Sequence, residues 1–198
     1  MLDLTTSILN QEMAMGDFLA PRLNPKLFML GINCRFSSIV LDEFTPPVEG
    51  RPINAYGMLD EGHLEAGDRA PDAPRLLPIR PENSDLTTLF SLYRPWYHTV
   101  LVFAPGATDA TPILAALESC DKSVVRSVLM LPSSAPAADV ASAADLVLLD
   151  QGDHAYSAYL VEARQTKVFV IRPDGVIGAI VHGADGVKKY FSKIFVDM

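Results

Sequence analysis

The feature that most constrains the fold is the C-terminal stretch KVFVIRPDGVIGAIVHGADGVKKYF, residues 167–191. Two runs of aliphatic residues flank Arg172-Pro173-Asp174-Gly175, whose proline and glycine are typical of a type I turn or a glycine-bulge hairpin. Asp174 is expected to accept hydrogen bonds from nearby backbone N–H groups. The stretch therefore predicts a β-hairpin followed by a helix with one apolar face, formed by Val187, Tyr190, Phe191 and Ile194.

Upstream of the hairpin, predicted strands alternate with predicted helices. The strands are RLLPI (75–79), HTVLVFAP (98–105), SVVRSVLML (123–131) and ADLVLLD (144–150). The helices are 84–93, capped by Ser84 or Asp85; 110–120, capped by Thr108 or Asp109 with Pro112 in its first turn; 135–143; and 154–161. A β-α-β-α-β order favours parallel pairing through right-handed crossovers, whereas the hairpin adds antiparallel edge strands. We predict an α/β protein with a thioredoxin-like fold, a central mixed sheet with helices on both faces.

The N-terminal third is organised differently. We expect a helix over 5–19, short extended pieces at FMLGIN and SSIVLDEF, and a long linker rich in proline and glycine. Residues 1–65 are therefore predicted to form an N-terminal helical arm, short strands and a linker, and 66–198 the thioredoxin-like domain. The arm exposes Leu9, Met13 and Met15 unless it packs on the core or on a second subunit.

Composition excludes several classes of protein. The net charge of −8 disfavours binding to nucleic acid. No apolar run approaches the ~20 residues of a membrane helix, and the N-terminus lacks a basic leader, so we expect a cytoplasmic protein. The four histidines show no metal-ligand spacing, so no metal is expected. Cys34 and Cys120 are far apart and are expected to be reduced thiols.

Thioredoxin-type chemistry is not expected. Redox proteins of this fold need a reactive cysteine at the start of the helix that follows the central strand. That segment is FAPGATDATP, residues 103–112, and contains no cysteine. The residues before the hairpin are Gln165-Thr166-Lys167, where redox members have a proline. Cys120 lies at the far end of the predicted helix, where the helix dipole raises a thiol pKa.

Three segments together resemble the C-terminal domain of FAD-dependent aromatic hydroxylases of the phenol hydroxylase type. FMLGINCRFSSIVLDE, residues 28–43, resembles the family's Gly-Ile/Val-x-x-x-Tyr-x-x-Ser junction, with Phe36 in place of tyrosine. AGDRAPDAPRL, residues 66–76, is similar to its Gly-x-Arg-Ala-Pro-Asp motif. FVIRPDGVIGAI, residues 169–180, resembles its Arg-Pro-Asp-Gly hairpin, with Val176 and Ile180 in place of aromatic residues.

The resemblance implies a domain associated with dimer formation, without flavin chemistry of its own. No Gly-x-Gly-x-x-Gly follows a strand, so no FAD or other cofactor is expected. The resemblance further implies a homodimer, with a flavin monooxygenase or a small aromatic or polyketide ligand as further partners. Arg69 in the second motif is expected to pair with a neighbouring acid and to clamp the start of the domain.

Two polar clusters could carry acid–base chemistry. In Asp150-Gln151-Gly152-Asp153-His154-Ala155-Tyr156, His154 is the candidate acid or base, oriented by Asp150 or Asp153, with Tyr156 as donor. Asp153 could instead only cap the following helix. The run Arg94-Pro95-Trp96-Tyr97-His98 is predicted to be a packing plug or an interface patch, with His98 and Tyr97 as a second candidate pair.

Two functions follow as alternatives. The first is a redox-inactive, stand-alone relative of the hydroxylase domain that dimerises through its N-terminal arm and sheet edge or assists in an aromatic or polyketide oxidation pathway. The second is a cofactor-free enzyme, such as an isomerase, cyclase or dehydratase, acting on a hydroxylated aromatic or polyketide intermediate. A closed apolar cavity containing a histidine or carboxylate favours the enzyme, and a flat two-fold interface favours the assembly role.

Overall fold

The computed structural model of the chain describes residues 32–45, 55, 62–81, 88–135 and 143–195. Within these residues one mixed sheet is built from seven strands, β1 Leu41–Asp42, β2 Leu76–Arg80, β3 His98–Phe103, β4 Val125–Pro132, β5 Leu146–Asp150, β6 Lys167–Ile171 and β7 Ile177–Val181. The α-helices described are α1 Ala107–Leu117, α2 His154–Ala158 and α3 Ala184–Phe191, and a 3-10 helix spans Leu89–Ser91.

The strand order is β1-β7-β6-β3-β4-β5-β2. β3, β4 and β5 are parallel neighbours, β6 is antiparallel to both β3 and β7, and β1 is parallel to β7. The four strands β4-β3-β6-β7, with α1 between β3 and β4 and α3 after β7, have the βαβ and ββα connectivity of the thioredoxin fold. The predicted α/β class, the mixed sheet and the C-terminal hairpin are confirmed.

Each face of the sheet has its own core, because alternate side chains of a strand point to opposite faces. Val100, Val102 and Leu129 lie beneath α1 and α3. Leu101, Phe103 and Met130 lie on the other face, under α2, the 3-10 helix and the alanines of segment 66–73. Helices therefore occur on both faces, but on the second face the helical cover in the described residues is one short α-helix and a single 3-10 turn.

The predicted parallel placement of the first strand is wrong. β2 pairs antiparallel with β5 at the edge of the sheet, with Pro78 opposite Leu148 and a register irregularity before Arg80. Proline has no N–H to donate, so it is tolerated on an edge strand and disfavoured in the middle of a sheet. A proline and an irregularity also make this edge a poor template for pairing with another strand.

The predicted cap of α1 is also wrong. The helix begins at Ala107, with Gly106 as its N-cap and no capping side chain, so Thr108 and Asp109 already lie inside it. Pro112 consequently falls in the second turn and not in the first. Only residues 104–106 separate β3 from α1, and Gly106 is still extended while Ala107 is already helical.

Other predicted elements are shorter in the structure or lie outside the described residues. Of the helix at 84–93, the described part contains the 3-10 helix Leu89–Ser91. The extended piece SSIVLDEF contributes only Leu41 and Asp42 as β1, which completes the sheet beside β7. The arm helix at 5–19, most of FMLGIN and nearly all of the helix at 135–143 lie outside the described residues.

A buried hydroxyl in α3 leads to a stability prediction. Tyr190 is fully buried, and its hydroxyl has no hydrogen-bond partner among the described residues. A buried donor without a partner is destabilising, so Tyr190→Phe should raise the free energy of unfolding by about 1 kcal/mol. Urea unfolding followed by circular dichroism measures the change. The matched control is Tyr159→Phe, which should be destabilising because Tyr159 donates to Pro71 O at 3.0 Å; a Tyr190→Phe protein no more stable than wild type would contradict the prediction.

Candidate functional site

Asp150 ends β5 and organises the loop that follows it. Its side chain is fully buried, and its two carboxylate oxygens accept the backbone N–H groups of His154 at 3.0 Å, Ala155 at 2.7 Å and Tyr156 at 3.0 Å. These N–H groups form the first turn of α2, where no preceding carbonyl can accept them. Asp150 is thus a buried cap of α2, and its carboxylate is occupied by the backbone.

The side chain of Asp153 does not cap α2. It is the residue before the helix, with left-handed backbone (φ 53°), but its side chain makes no capping hydrogen bond. Instead, the hydroxyl of Ser133 donates to Asp153 Oδ1 at 3.1 Å, which links the ends of β4 and β5 on the surface. The expectation that Asp153 caps this helix is wrong, since Asp150 does so.

His154 is half-buried at the same strand ends. Its ring lies against the Gly152 backbone, so that a Cβ added to Gly152 would be 2.8 Å from His154 Nε2. A side chain at position 152 would collide with the imidazole, so this position suits glycine. Asp153 and His154 lie at the carboxyl ends of parallel strands, where α/β sheets commonly bind ligands.

Tyr156 faces away from that surface. It is 3% exposed, its ring contacts Phe103 edge-on, and its hydroxyl lies 3.1 Å from Ala104 O and 2.9 Å from Met130 O, so it donates to the ends of β3 and β4. Burial raises the pKa of this phenol well above its ordinary value. Tyr156 therefore ties α2 to the sheet, and among the predicted residues the structure brings only Asp153 and His154 to one surface. Their catalytic role stays a prediction.

His98 and Tyr97 are adjacent in sequence, but their side chains contact different parts of the structure. The His98 ring packs edge-on against Tyr190, Phe191 and Phe195 at the end of α3. Burial is the main cause that lowers the pKa of His98, and the nearby positive charge of Arg172 lowers it further. The hydrogen bond with the Val124 backbone raises the pKa and so opposes these two effects. The imidazole is thus neutral near pH 7 and belongs to an aromatic cluster.

The run that contains His98 divides into two parts. The hydroxyl of Tyr97 donates to Leu92 O at 2.9 Å and holds the loop before β3, which fits the predicted packing plug. Trp96 is 63% exposed, so it is a surface residue, and the interface patch stays a prediction.

The position of a thioredoxin-type cysteine is occupied by other residues. β3 ends at Phe103, and Ala104-Pro105-Gly106 leads directly into α1. Cys120 follows the opposite end of α1 and is buried, and burial raises the pKa of its thiol even though Lys122 is nearby. Cys34 is half-buried and is not joined to Cys120 by a disulfide.

The segments that carry the family resemblance meet in space. Gly67 accepts the N–H of Cys34 at 2.7 Å and donates its own N–H to Ile177 O at 2.7 Å, and Ala70 donates to Gly175 O at 2.9 Å. The guanidinium of Arg35 reaches Asp68 Oδ1 from both Nε, at 2.7 Å, and Nη2, at 2.5 Å. These contacts join residues 32–45, 66–76 and the hairpin into one unit, which we call the junction.

The junction corrects one expectation and adds one residue. Asp68 of this motif pairs with Arg35, whose side chain is 16% exposed, whereas Arg69 is exposed and, among the described residues, forms a backbone bridge with Val176 and no ion pair. The Arg35–Asp68 pair spans 33 residues, which is why spacing within a single motif does not predict it.

The Arg-Pro-Asp-Gly turn is structural in all its contacts. Gly175 has φ 78°, its N–H donates to Arg172 O at 2.9 Å, and Arg172 N–H donates to Val176 O at 2.8 Å. Arg172 pairs with Asp174 at 2.5 Å inside the turn. As predicted, Asp174 also accepts a backbone N–H, that of Val176, at 3.2 Å.

A cleft of about 270 Å³ opens at the other end of the sheet, below the start of β5. Sequence reasoning missed it, because its charged lining comes from separate segments: Arg94 before β3, Arg126 in β4, and Asp145 before β5. Arg94 and Tyr97 stand in the run that the sequence marks as unusual, but nothing there indicates Arg126 or Asp145. A second cleft of about 440 Å³ lies between α1 and α3 and is lined by Ala116, Ser119, Lys188, Lys189 and Ser192.

In the part of the chain that the structure describes, no group of three or more histidine, cysteine, aspartate or glutamate side chains is arranged to hold a metal ion. Among the same residues, no helix combines the length and the apolar character needed to cross a membrane.

Comparison with known proteins gives likeness of structure only. No family model and no curated protein sequence matches the chain. A peroxiredoxin-like protein from Aquifex aeolicus matches with TM-score 0.48 and 14% identity over 66% of this chain and 88% of its own. The flavin-dependent monooxygenase PieE, solved with FAD and substrate, matches with TM-score 0.43 and 18% identity over 80% of this chain and 24% of its own. Both TM-scores are below 0.5, so the fold is assigned from the strand order and connectivity described above.

Proposed function

We propose that the chain is a redox-inactive thioredoxin-like protein, related to the C-terminal domain of phenol hydroxylase-type flavin monooxygenases, that dimerises or assists in an aromatic or polyketide oxidation pathway. The observation that carries this proposal is the start of α1. Ala104-Pro105-Gly106-Ala107 stands where a thiolate would be stabilised by the helix N-terminus. The buried Cys120, with its raised pKa, cannot replace that thiolate.

The junction supports the relation to the hydroxylase domain. The resemblance rests on three separate sequence segments, and a chance resemblance gives them no reason to touch. Cys34, Gly67 and Ile177, one from each segment, are joined by two backbone hydrogen bonds of 2.7 Å. The motif residues thus act together in holding the beginning of the domain to its hairpin.

The surface of the loop before β3 supports association with a second copy. Trp96 is 63% exposed and Phe90 is 52% exposed, and both follow β2 on the way to β3. Exposed tryptophan and phenylalanine are enriched in interfaces and are unfavourable in contact with water. We therefore assign the dimer contact to this loop, since the edge strand β2 is poorly suited to pairing.

The test measures the molecular mass of the protein and its ability to reduce a disulfide. Light scattering of the purified chain should give the mass of a dimer, and reduction of a disulfide substrate such as insulin should not exceed the uncatalysed rate. The protein should also lack the absorption band of bound flavin. A monomer at all concentrations, or thiol-dependent turnover, would overturn the proposal.

Removal of the exposed tryptophan should weaken the dimer. Interface tryptophans commonly contribute about 2 kcal/mol to binding, so Trp96→Ser should raise the dimer dissociation constant roughly thirtyfold in sedimentation experiments. The matched control is Phe36→Ser, because Phe36 is 55% exposed in a different segment. Equal effects of the two substitutions would show that Trp96 is not at the interface.

A cofactor-free enzyme acting on a hydroxylated aromatic or polyketide intermediate is the second candidate. The observation that favours it is the contact of Asp153 with Ser133 at the carboxyl ends of β4 and β5, with His154 next in the same loop. Incubation with an extract rich in aromatic intermediates, followed by mass spectrometry, should then show a converted metabolite. His154→Ala should abolish that conversion and His63→Ala, at an exposed position, should not; a wild-type protein that converts nothing removes this candidate.

A further inference from the structure

The cleft at the start of β5 exists because two neighbouring strands differ in length. β4 begins at Val125, but β5 first pairs with it at Leu146 opposite Val128. Residues 125–127 of β4 therefore run past the end of β5, and Asp145, not another strand, accepts the N–H of Ser127, at 2.8 Å. The 3-10 helix and the loop 92–97 cover the adjoining face, which leaves a cleft of about 270 Å³ between loop and strand.

The lining is apolar on one side and cationic on the other. Leu92, Val128, Leu146 and the ring of Tyr97 provide apolar surface. Arg94 and Arg126 also line the cleft, and neither forms an ion pair with a carboxylate among the described residues. Two such arginines at one cleft are notable in a chain whose net charge is −8.

The single acid of the cleft is already neutralised. Asp145 Oδ2 accepts the backbone and hydroxyl groups of Ser127, each at 2.8 Å, and the ammonium of Lys122 at 3.2 Å. Burial alone would raise the pKa of Asp145, but these hydrogen bonds and the Lys122 charge lower it. Asp145 is therefore an anion balanced by Lys122, and the charge left for a ligand is that of the two arginines.

One arginine of the cleft is held by hydrogen bonds, and the other lies near an aromatic ring. Arg94 Nη1 donates to Ser91 O at 2.7 Å and to Tyr93 O at 2.9 Å. These bonds fix one guanidinium nitrogen and leave the other two for a ligand. The Arg126 guanidinium carbon lies 5.7 Å from the centre of the Tyr97 ring, at cation–π distance. Tyr97 is itself fixed by its hydrogen bond to Leu92 O, so the ring beside Arg126 has a defined position.

We propose that this cleft binds a small aryl carboxylate, with the carboxylate on Arg126 and Arg94 and the ring on the apolar wall. Guanidinium groups match the planar geometry of a carboxylate. The volume suits one ring and not a large ligand. Phosphate has no ring to contact the apolar wall, so it should bind more weakly than an aryl carboxylate. The proposal goes beyond the assembly role and does not depend on it.

Three probes test separately whether the negative charge and the ring of the ligand are needed for binding. The full chain, labelled with ¹⁵N, is titrated with benzoate, benzamide and inorganic phosphate while amide chemical shifts are recorded. Benzoate should shift the amides of residues 91–94, 96–99 and 126–128 in a saturable way, and benzamide and phosphate should bind at least about tenfold more weakly. Benzamide binding as tightly as benzoate, phosphate binding as tightly as benzoate, or no saturable benzoate shift would each overturn the proposal.

Matched arginine variants locate the site. Arg126→Gln should weaken benzoate binding by about tenfold or more, because a charge-assisted contact is lost. Arg164→Gln removes the same charge from an exposed position outside the cleft and should leave affinity unchanged. Arg126 is exposed and makes no carbonyl contact like those of Arg94, so its variant should keep the wild-type melting temperature. Equal affinity of Arg126→Gln and wild type would overturn the assignment.

Discussion

Replacing Gly67 by alanine is expected to lower the free energy of unfolding by about 3 kcal/mol or more, a large part of the stability of a domain of this size. Gly67 has φ 99°, in a region that side chains disfavour by about 1–2 kcal/mol. A Cβ at this position would also overlap the backbone of segment 32–45, since it would lie 2.5 Å from Arg35 Cα and 2.7 Å from the Cys34 carbonyl carbon. Forced overlap of this kind typically adds about 1–3 kcal/mol.

The junction leaves no way for the chain to move aside. Gly67 is tied on one side to Cys34 and on the other to Ile177, both at 2.7 Å, and its neighbour Asp68 holds Arg35. A shift that relieved the overlap would break one of these contacts. The alanine variant should therefore loosen the attachment of residues 32–45 to the hairpin as well as lower the overall stability.

Gly175→Ala is the matched control for this prediction. Gly175 also has positive φ, at 78°, but a Cβ there would meet no described atom within 4 Å. Its cost should be only about 1 kcal/mol, from backbone conformation alone. Urea unfolding of both variants gives the comparison, and equal losses would show that the close approach to Arg35 is not important for stability.

Local patterns predict the parts of this fold in which neighbours along the chain interact. The hairpin of β6 and β7 and helix α3 follow from the turn at 172–175 and from a helical repeat, and all their defining contacts are short in sequence. The lack of a cysteine at the start of α1 is visible in the sequence as well. The last of these features, the missing cysteine, is the one that carries the proposed redox inactivity.

Contacts between distant segments could not be predicted from those patterns. β2 has the composition of a buried strand, but nothing local states that its partner is β5 or that the pairing is antiparallel. Choosing between two acids three residues apart required the structure, since both Asp150 and Asp153 precede α2 and only Asp150 is buried against its N–H groups.

The same limit applies to the cleft. Arg94 and Arg126 are 32 positions apart in the numbering, and they face one space only because β5 begins three residues after β4 in register. A charged residue on a strand is ordinarily read as solvent-exposed, and Arg126 is exposed. Its proximity to the Tyr97 ring is what distinguishes it from other surface arginines.

Asp150→Asn should be the second substitution with a large effect, lowering the free energy of unfolding by about 3 kcal/mol. The carboxylate accepts three N–H groups with both oxygens, two of them on Oδ2. An amide has one oxygen, so its NH2 group would face a backbone N–H in a fully buried site with no acceptor. Hydrogen bonds to charged groups contribute about 1.5–3 kcal/mol each, and the unpaired donors add to that loss.

Asp153→Asn makes the same chemical change three residues later and is the control. Asp153 is exposed and accepts only from Ser133, so its loss should be within about 0.5 kcal/mol. The two variants differ in burial and in hydrogen bonding to α2, and not in residue type. If both unfold at the same urea concentration as wild type, the α2 cap does not stabilise the fold. If Asp150→Asn alone is destabilised, then α2, Tyr156 and the adjoining His154 owe their positions to a carboxylate that is inaccessible to any substrate.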